Sequence, residues 1–142
     1  MKTAFFISRL IMAVLIAALT IGCDVVGTVI DLSNTQTDVT SMHVSGKGTL
    51  TVITGGAIHK LPLDALESVV LFPGETRVIN GELCFAAEVF LKDGAHMQAH
   101  DKMHDNNPLT FISSNATILG KSNRGDFKVE MTNVLKITFR QP

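Results

Sequence analysis

Apolar and polar positions alternate along several short stretches of the chain after residue 40. The run 135–140 alternates, with Leu135, Ile137 and Phe139 on one face, and residues 49–54 form another run of apolar and threonine residues. A period of two residues is typical of a half-buried strand, so these stretches predict β-structure. A third alternating run covers 83–92, and its apolar face consists of Leu83, Phe85, Ala87, Val89 and Leu91.

Turn-forming dipeptides separate these runs. Asn80-Gly81 supplies the positive φ that both central residues of a type I′ turn need, which predicts a hairpin there. Asp93-Gly94 predicts a second hairpin turn. A long helical period is missing, and residues 61–67 predict only one short helical turn with Asp64 near its start. The pattern therefore predicts an all-β fold, a small antiparallel sandwich or barrel of about eight strands.

Two segments of the chain have similar patterns of apolar residues, and we call this similarity the internal echo. Residues 59–71 can be laid over residues 127–139, and apolar residues then coincide at several positions, such as Leu63 with Met131 and Val69 with Ile137. Two interpretations are open. The echo indicates two related β units packed together, or it reflects the similarity of any two amphipathic strand pairs.

Residues 1–22 have the pattern of an export signal. Lys2 and Arg9 precede the almost wholly apolar stretch 10–21. This stretch fits the hydrophobic region of a signal peptide and is short for a bilayer span, so residues 1–22 predict an N-terminal signal helix. Counting from Phe5 lengthens the apolar stretch, and the alternative is a single-span membrane anchor that is not cleaved.

Leu19-Thr20-Ile21-Gly22-Cys23 resembles the cleavage box of bacterial lipoproteins. The resemblance implies that Cys23 becomes the first mature residue and carries acyl chains such as palmitate. Several acyl chains give stable membrane anchoring. Asp24 directly after the cysteine resembles the sorting signal for retention in the inner membrane. The resemblance thus implies a lipoprotein of the bacterial cell envelope that faces the periplasm.

The sequence divides the chain into three parts: a signal peptide (1–22), a lipid-anchored tether with a first short strand (23–40), and a β-domain (41–142). Residues 24–40 are rich in Asp, Thr, Ser and Asn, which is typical of a tether. An alternative is that Cys23 pairs with Cys84 in a disulfide, since exported chains meet an oxidising compartment. The chain would then be a soluble secreted domain, whereas an acylated Cys23 leaves Cys84 as a buried small residue.

Charge gives no sign of a nucleic-acid partner. The chain has 12 basic and 13 acidic residues, the basic residues are scattered, and Trp and Tyr are absent. Basic patches and aromatic stacking residues are the usual features of a nucleic-acid surface. The predicted partners are therefore the membrane, through the acyl chains, and another envelope protein.

Residues 95–105 hold the one concentration of metal-ligand side chains. The candidate ligands for copper or zinc are His96, His100, His104, Met97 and Met103. On a helix, histidines four residues apart would converge on one ion. On a strand, they would lie about 13 Å apart and could not share an ion without another group. The segment follows a hairpin turn, so we favour the strand.

Catalytic motifs are absent from the sequence: it has no nucleophile elbow, phosphate-binding loop or dinucleotide fingerprint. We therefore expect a protein that is not an enzyme and needs no cofactor. The favoured function is a binding or adaptor module at the envelope, and the alternative is a periplasmic copper- or zinc-binding protein.

Overall fold

The structure is a computed structural model that describes residues 24–140. It confirms the all-β class. Its strands, in chain order, are β1 (Val26–Asp31), β2 (Gln36–Val44), β3 (Thr49–Thr54), β4 (Ala57–Pro62), β5 (Leu66–Ile79), β6 (Glu82–Leu91), β7 (His96–Met97), β8 (His100–Asp101), β9 (Asn107–Pro108), β10 (Thr110–Ser113), β11 (Thr117–Ser122), β12 (Gly125–Glu130) and β13 (Val134–Arg140). Two 3₁₀ turns, Leu63–Ala65 and Met131–Asn133, precede β5 and β13.

Most of these strands belong to one curled antiparallel sheet that forms a half-barrel. The strand order is β12-β11-β2-β1-β13-β5-β6-β10-β3-β4, and β7 pairs with β6 beside β10. The short strands β8 and β9 form a separate pair. Strands are more numerous than the eight expected because residues 24–40 and 95–108 supply strands of their own. No helix that could span a bilayer is found in residues 24–140.

Two units with the same element order make up the sheet. The segment β4–3₁₀–β5 recurs as β12–3₁₀–β13, at the same offset along the chain as the echo in the sequence. Val69 of β5 pairs directly with its equivalent, Ile137 of β13. Strands on the two sides of this pair then correspond one to one: β1 to β6, β2 to β10, β3 to β11 and β4 to β12. A pseudo-twofold axis therefore passes between Val69 and Ile137.

The two units, β1–β5 and β6–β13, are interlocked. In the first unit, β1 pairs with β13 and β2 pairs with β11, and both partners belong to the second unit. In return, β6 pairs with β5 and β10 pairs with β3. In each unit, two strands of the sheet therefore pair with strands of the other unit: β1 and β2 in the first unit, and β6 and β10 in the second.

The sequence predicts a tether with a first short strand over residues 23–40, whereas in the structure residues 26–31 and 36–44 form two strands of the sheet, β1 and β2. β1 lies between β2 and β13 in the interior of the sheet, and Val29 of β1 and Val39 of β2 are fully buried. Only two residues of β1 and three of β2 are buried, and residues 24–40 are rich in Asp, Thr, Ser and Asn, which is the composition of a linker. The β-domain therefore includes residues 26–44 and does not start near residue 41.

One large hydrophobic core fills the concave side of the sheet, and both units contribute to it. Ile137 and Phe139 of β13 are buried, as the alternation predicts. Leu135 is only half-buried, whereas its neighbour Val134 is fully buried, because the register with β1 shifts between Ile30 and Asp31. Leu63 at the predicted helical turn is also fully buried and anchors that 3₁₀ turn in the core.

The long hairpin β5–β6 turns at Asn80 and Gly81, whose φ values of 52° and 81° confirm the predicted type I′ turn. The predicted apolar face of β6 is wrong near this turn, since Leu83 is 44% exposed while Cys84 is fully buried. Cys84, Ala86 and Phe111 form a second, smaller core. The opposite face is covered here by the Phe111 side chain of the neighbouring strand β10, and the partly buried Ile53, Phe72 and Ile79 pack against this second core.

Candidate functional site

The histidine-rich segment is an insertion in one of the two units. Residues 32–35 connect β1 to β2, whereas residues 92–109 connect the equivalent strands β6 and β10. The extra length contains β7, β8 and β9. Connections between strands carry function more often than the strands themselves, and this one has no counterpart in the other unit. We therefore treat residues 92–109, the inserted segment, as the candidate site.

The inserted segment lies as a strand along the edge of β6 and then folds back. Its entry turn is held by Asp93, whose carboxylate accepts the Ala95 N–H at 2.8 Å, and β7 then pairs with Val89 and Phe90 of β6. The returning chain donates the Leu109 N–H to the Ala99 carbonyl at 2.8 Å. The segment thus continues the sheet and is not a loose loop.

Thr110 fixes the end of the inserted segment. Its side chain is fully buried, and its hydroxyl lies 2.7 Å from the Gln98 carbonyl and 3.0 Å from the Thr54 hydroxyl. A buried hydroxyl without a partner would cost free energy, so both contacts favour this one path of the chain.

His96 packs on β6. Its imidazole stacks on the Phe90 ring, with centroids 4.3 Å apart and an interplanar angle of 10°. Its Nε2 lies 2.7 Å from a carboxylate oxygen of Glu88. Phe90 and Glu88 point to the same side of β6 because they are two residues apart.

His100 makes the same two kinds of contact with β5. Its Nε2 is hydrogen-bonded to the Glu75 carboxylate, and its ring meets Phe72 edge-on with centroids 5.2 Å apart. Glu75 lies in the irregular stretch of β5 between Phe72 and Thr76. This irregularity is what brings Glu75 to the inserted segment.

The tip of the inserted segment is held by Asp101. Its carboxylate accepts the Met103 N–H at 3.0 Å and lies 2.9 Å from Nδ1 of His104. Asp105 and Asn106 complete the turn with φ values of 57° each. The side chain of His104 is 79% exposed and Met103 is 87% exposed, so the tip is open to solvent.

The structure does not bring the five predicted metal ligands together. The three histidines contact three different carboxylates, Met97 packs against the main core and Met103 is exposed. Within residues 24–140, no three His, Cys, Asp or Glu side chains are grouped so that they could hold one metal ion. A copper or zinc site at His96, His100 and His104 stays a prediction, and it would need ligands from another chain.

Cys84 is a buried thiol and does not lie at the inserted segment. Its Sγ–H donates to the Glu82 carbonyl at 3.6 Å. Burial raises the pKa of the Cys84 thiol above its ordinary value of 9.0, and the Glu82 carboxylate raises it further. A buried, protonated thiol is a poor nucleophile, which fits a packing role.

Asp24 is already part of the folded domain. Its carboxylate accepts the Ser41 N–H at 3.0 Å, and the next residue, Val25, accepts the Met42 N–H at 2.9 Å through its carbonyl. The predicted signal peptide (1–22) and the predicted lipidation site Cys23 lie outside the described residues.

The sequence pattern indicates the histidines but not the side chains that they contact. Glu88 and Phe90 could have been found, since both fall on the same face of a predicted strand. Glu75 and Phe72 could not, because a local irregularity in β5 decides where they point. No protein-family model and no curated protein matches this chain, so its residues and their geometry carry the functional proposal.

Proposed function

We propose that this chain is a lipoprotein of the bacterial cell envelope, anchored through acyl chains on Cys23, whose β-domain is a non-catalytic binding module. The observation that carries the binding role is the inserted segment. It is present in one unit only, it is fixed to the scaffold through His96 and His100, and it presents an exposed tip. A rigid base with an accessible tip is suited to recognition of a partner.

The anchoring proposal has a structural consequence at Asp24. The contacts of Asp24 with Ser41 and of Val25 with Met42 leave no flexible spacer between Cys23 and the sheet. Acyl chains on Cys23 would hold the domain against the membrane surface, in the inner membrane if Asp24 acts as the retention signal. The proposed partners are then the membrane itself and an envelope protein close to it.

The first experiment tests the anchor. The intact mass and the membrane partitioning of the expressed chain are measured beside Cys23→Ala, with Cys84→Ala as the matched control. We expect the wild type and Cys84→Ala to begin at Cys23, to carry acyl mass and to follow the membrane. Cys23→Ala should do neither. A wild type that begins elsewhere and stays in the aqueous fraction would overturn the lipoprotein proposal.

The second experiment tests the binding role in cells. A photo-crosslinking residue is placed at Met103 on the tip and, as a control, at the exposed Lys128 of β12. We expect a discrete adduct with one envelope protein from position 103 only, competed by excess wild-type chain. Equal, diffuse crosslinking from both positions would show that the tip recognises nothing in particular.

Copper or zinc binding is the alternative function. It is favoured by the two imidazole–carboxylate pairs, His96 with Glu88 and His100 with Glu75, each of which offers one nitrogen and one oxygen donor. Titration of the full chain with zinc or copper, beside His96→Gln and His100→Gln, tests it. Binding that both substitutions weaken would support it, and absence of binding would remove it.

A further inference from the structure

The pseudo-twofold strand order gives the domain two equivalent clefts. The first, of about 350 Å³, lies between the start of β2 and the turn of the hairpin β11–β12. The second, of about 360 Å³, lies between residues 108–111 and the turn of the hairpin β3–β4, where Arg77 and Ile79 of β5 also line it. The two hairpin turns are equivalent, since β3–β4 and β11–β12 occupy corresponding places on the two sides of the pseudo-twofold axis. Both volumes are within the range of small-molecule sites.

The two clefts have opposite chemistry. Hydroxyl, amide and charged side chains line the first: Thr35, Gln36, Thr37, Asp38, Ser122, Asn123 and Arg124. The second is lined by apolar residues and glycines, with Arg77 as its one charged side chain: Ile53, Gly55, Gly56, Arg77, Ile79, Pro108, Leu109 and Phe111. The two clefts occupy equivalent positions but are lined by different kinds of side chain. Of the two, the second combines an apolar wall with a single positively charged side chain.

Arg77 is positioned at the second cleft without a carboxylate partner in residues 24–140. Its guanidinium packs over the Phe111 ring, with Cζ 4.9 Å from the ring centroid. No ion pair of the described chain includes Arg77. Glu82, at the start of β6, is hydrogen-bonded to the Ser113 hydroxyl at 3.0 Å and does not line this cleft. The positive charge at the cleft is thus available to a ligand.

We infer that the second cleft binds a small amphipathic carboxylate, an apolar chain or ring that carries one carboxylate group. The apolar body would lie against Ile53, Ile79 and Leu109. The carboxylate would pair with Arg77, whose planar guanidinium offers two parallel donors to a carboxylate. Packing on Phe111 already orders the guanidinium, which reduces the entropy lost on binding.

This inference rests on the proposal that the domain is a binding module, and it names a ligand class for that module. It does not involve the tip of the inserted segment or the membrane anchor. The two proposals can therefore fail separately. If the tip crosslinks one partner and the cleft binds no carboxylate, the inference is wrong and the proposed function stands.

The test uses the full chain in lipid nanodiscs, with empty nanodiscs as the blank, and titrates hexanoate, hexanol and hexylamine by calorimetry. We expect hexanoate to bind, hexanol to bind at least about tenfold more weakly, and hexylamine not to compete. Arg77→Gln should weaken hexanoate by about tenfold or more, and Arg77→Lys by less. Arg124→Gln, in the equivalent polar cleft, is the matched control and should bind hexanoate as the wild type does.

A second measurement keeps the test valid if a variant folds poorly. Backbone amide resonances of the wild-type chain are followed during the hexanoate titration, and we expect Gly55 and Gly56 to shift while Ser122 and Asn123 do not. Three results would overturn the inference: no binding of hexanoate, equal binding of hexanol, or shifts confined to residues away from Gly55 and Gly56.

Discussion

Gly120 shows how closely two strands approach each other at one residue. It lies in β11, where the register with β2 shifts between Leu119 and Lys121. A Cβ atom at Gly120 would lie 2.4 Å from Cγ1 of Val39 and 2.7 Å from the carbonyl oxygen of Thr40. The second contact is with backbone, which cannot rotate away. Glycine is therefore needed here for space.

We expect Gly120→Ala to lower the free energy of unfolding by about 1–3 kcal/mol, the usual cost of forcing an added methyl into a packed site. The matched control is Gly74→Ala, because nothing lies within 4 Å of a Cβ at Gly74. Urea unfolding of both variants beside the wild type measures the difference. Equal midpoints for the two variants would contradict the close approach of β11 to β2.

Because Cys84 is buried, it makes the free energy of unfolding depend on pH. Because burial and Glu82 raise the pKa of the folded thiol above 9.0, the thiol of the unfolded chain ionises first as pH rises. The unfolded state then holds fewer protons than the folded state, so the free energy of unfolding falls with pH in that range. Below pH 9.0 both states keep the proton and the stabilisation is fully present.

We expect the wild type to lose more stability than Cys84→Ala when the pH is raised past 9.0. Urea unfolding at a series of pH values gives the two slopes, and their difference removes the contribution of all other groups. The native thiol should also react slowly with an alkylating reagent until the chain unfolds. Rapid alkylation of the folded chain would show that Cys84 is accessible.

Among the structural elements, the inserted segment is present in the second unit and has no equivalent in the first. The first unit joins β1 to β2 through residues 32–35 alone, whereas the second unit uses residues 92–109 for the equivalent connection. Within the segment, β7 covers the edge of β6 and Met97 packs against the main core. The segment therefore adds buried area to the domain, and the first unit makes the equivalent connection without such a segment.

Replacing residues 92–106 by the sequence of residues 32–35 should leave the domain folded and lower its stability by about 2–4 kcal/mol. The loss comes from the burial of Met97 and Ala99 and from the Gln98 carbonyl to which the buried Thr110 hydroxyl donates. Circular dichroism and thermal unfolding measure the two effects. The control replaces only residues 102–106 by Asn-Gly, which keeps β7 and β8 and should stay close to wild-type stability. Loss of the β spectrum in the first variant would mean that the segment is part of the framework.

Comparison of the predicted and observed strands and turns shows which sequence patterns predict local structure. Alternation predicted β13, the Asn80-Gly81 pair predicted the hairpin β5–β6, and residues 61–67 predicted the 3₁₀ turn, because each depends on local conformation. Burial on both sides of β6 near Cys84 was not predictable. It requires side chains that are distant in sequence, above all Phe111 of the neighbouring strand β10, to pack on the face that the alternation assigned to solvent.

At the scale of the whole molecule, neither unit contains a complete sheet. β1 and β2 pair with β13 and β11 across the pseudo-twofold axis, while β5 and β3 depend on β6 and β10. Separation of the units would expose the core residues Val69 and Ile137, which pair at the axis. Folding of one unit is therefore coupled to folding of the other.

We expect fragments 24–80 and 81–142 to be unfolded alone and to recover the native β spectrum when mixed. The cut falls in the exposed turn at Asn80 and Gly81, so it removes no strand pairing. A cut within residues 102–106, at the tip of the inserted segment, is the control and should be tolerated in the same way. Cooperative unfolding of fragment 24–80 by itself would refute the interlocked arrangement.

Local side-chain patterns were enough to predict the all-β class and the positions of several strands and turns, and they also contain the echo between residues 59–71 and 127–139. The signal peptide and the acylation of Cys23 also come from sequence alone and stay predictions. Strand pairing in the folded domain was needed to show that residues 26–44 lie inside the sheet and that the two units are interlocked. It also showed that His96, His100 and His104 have separate carboxylate partners. The physical reason is that strand pairing joins residues far apart in the chain, and no local pattern records which strands will meet.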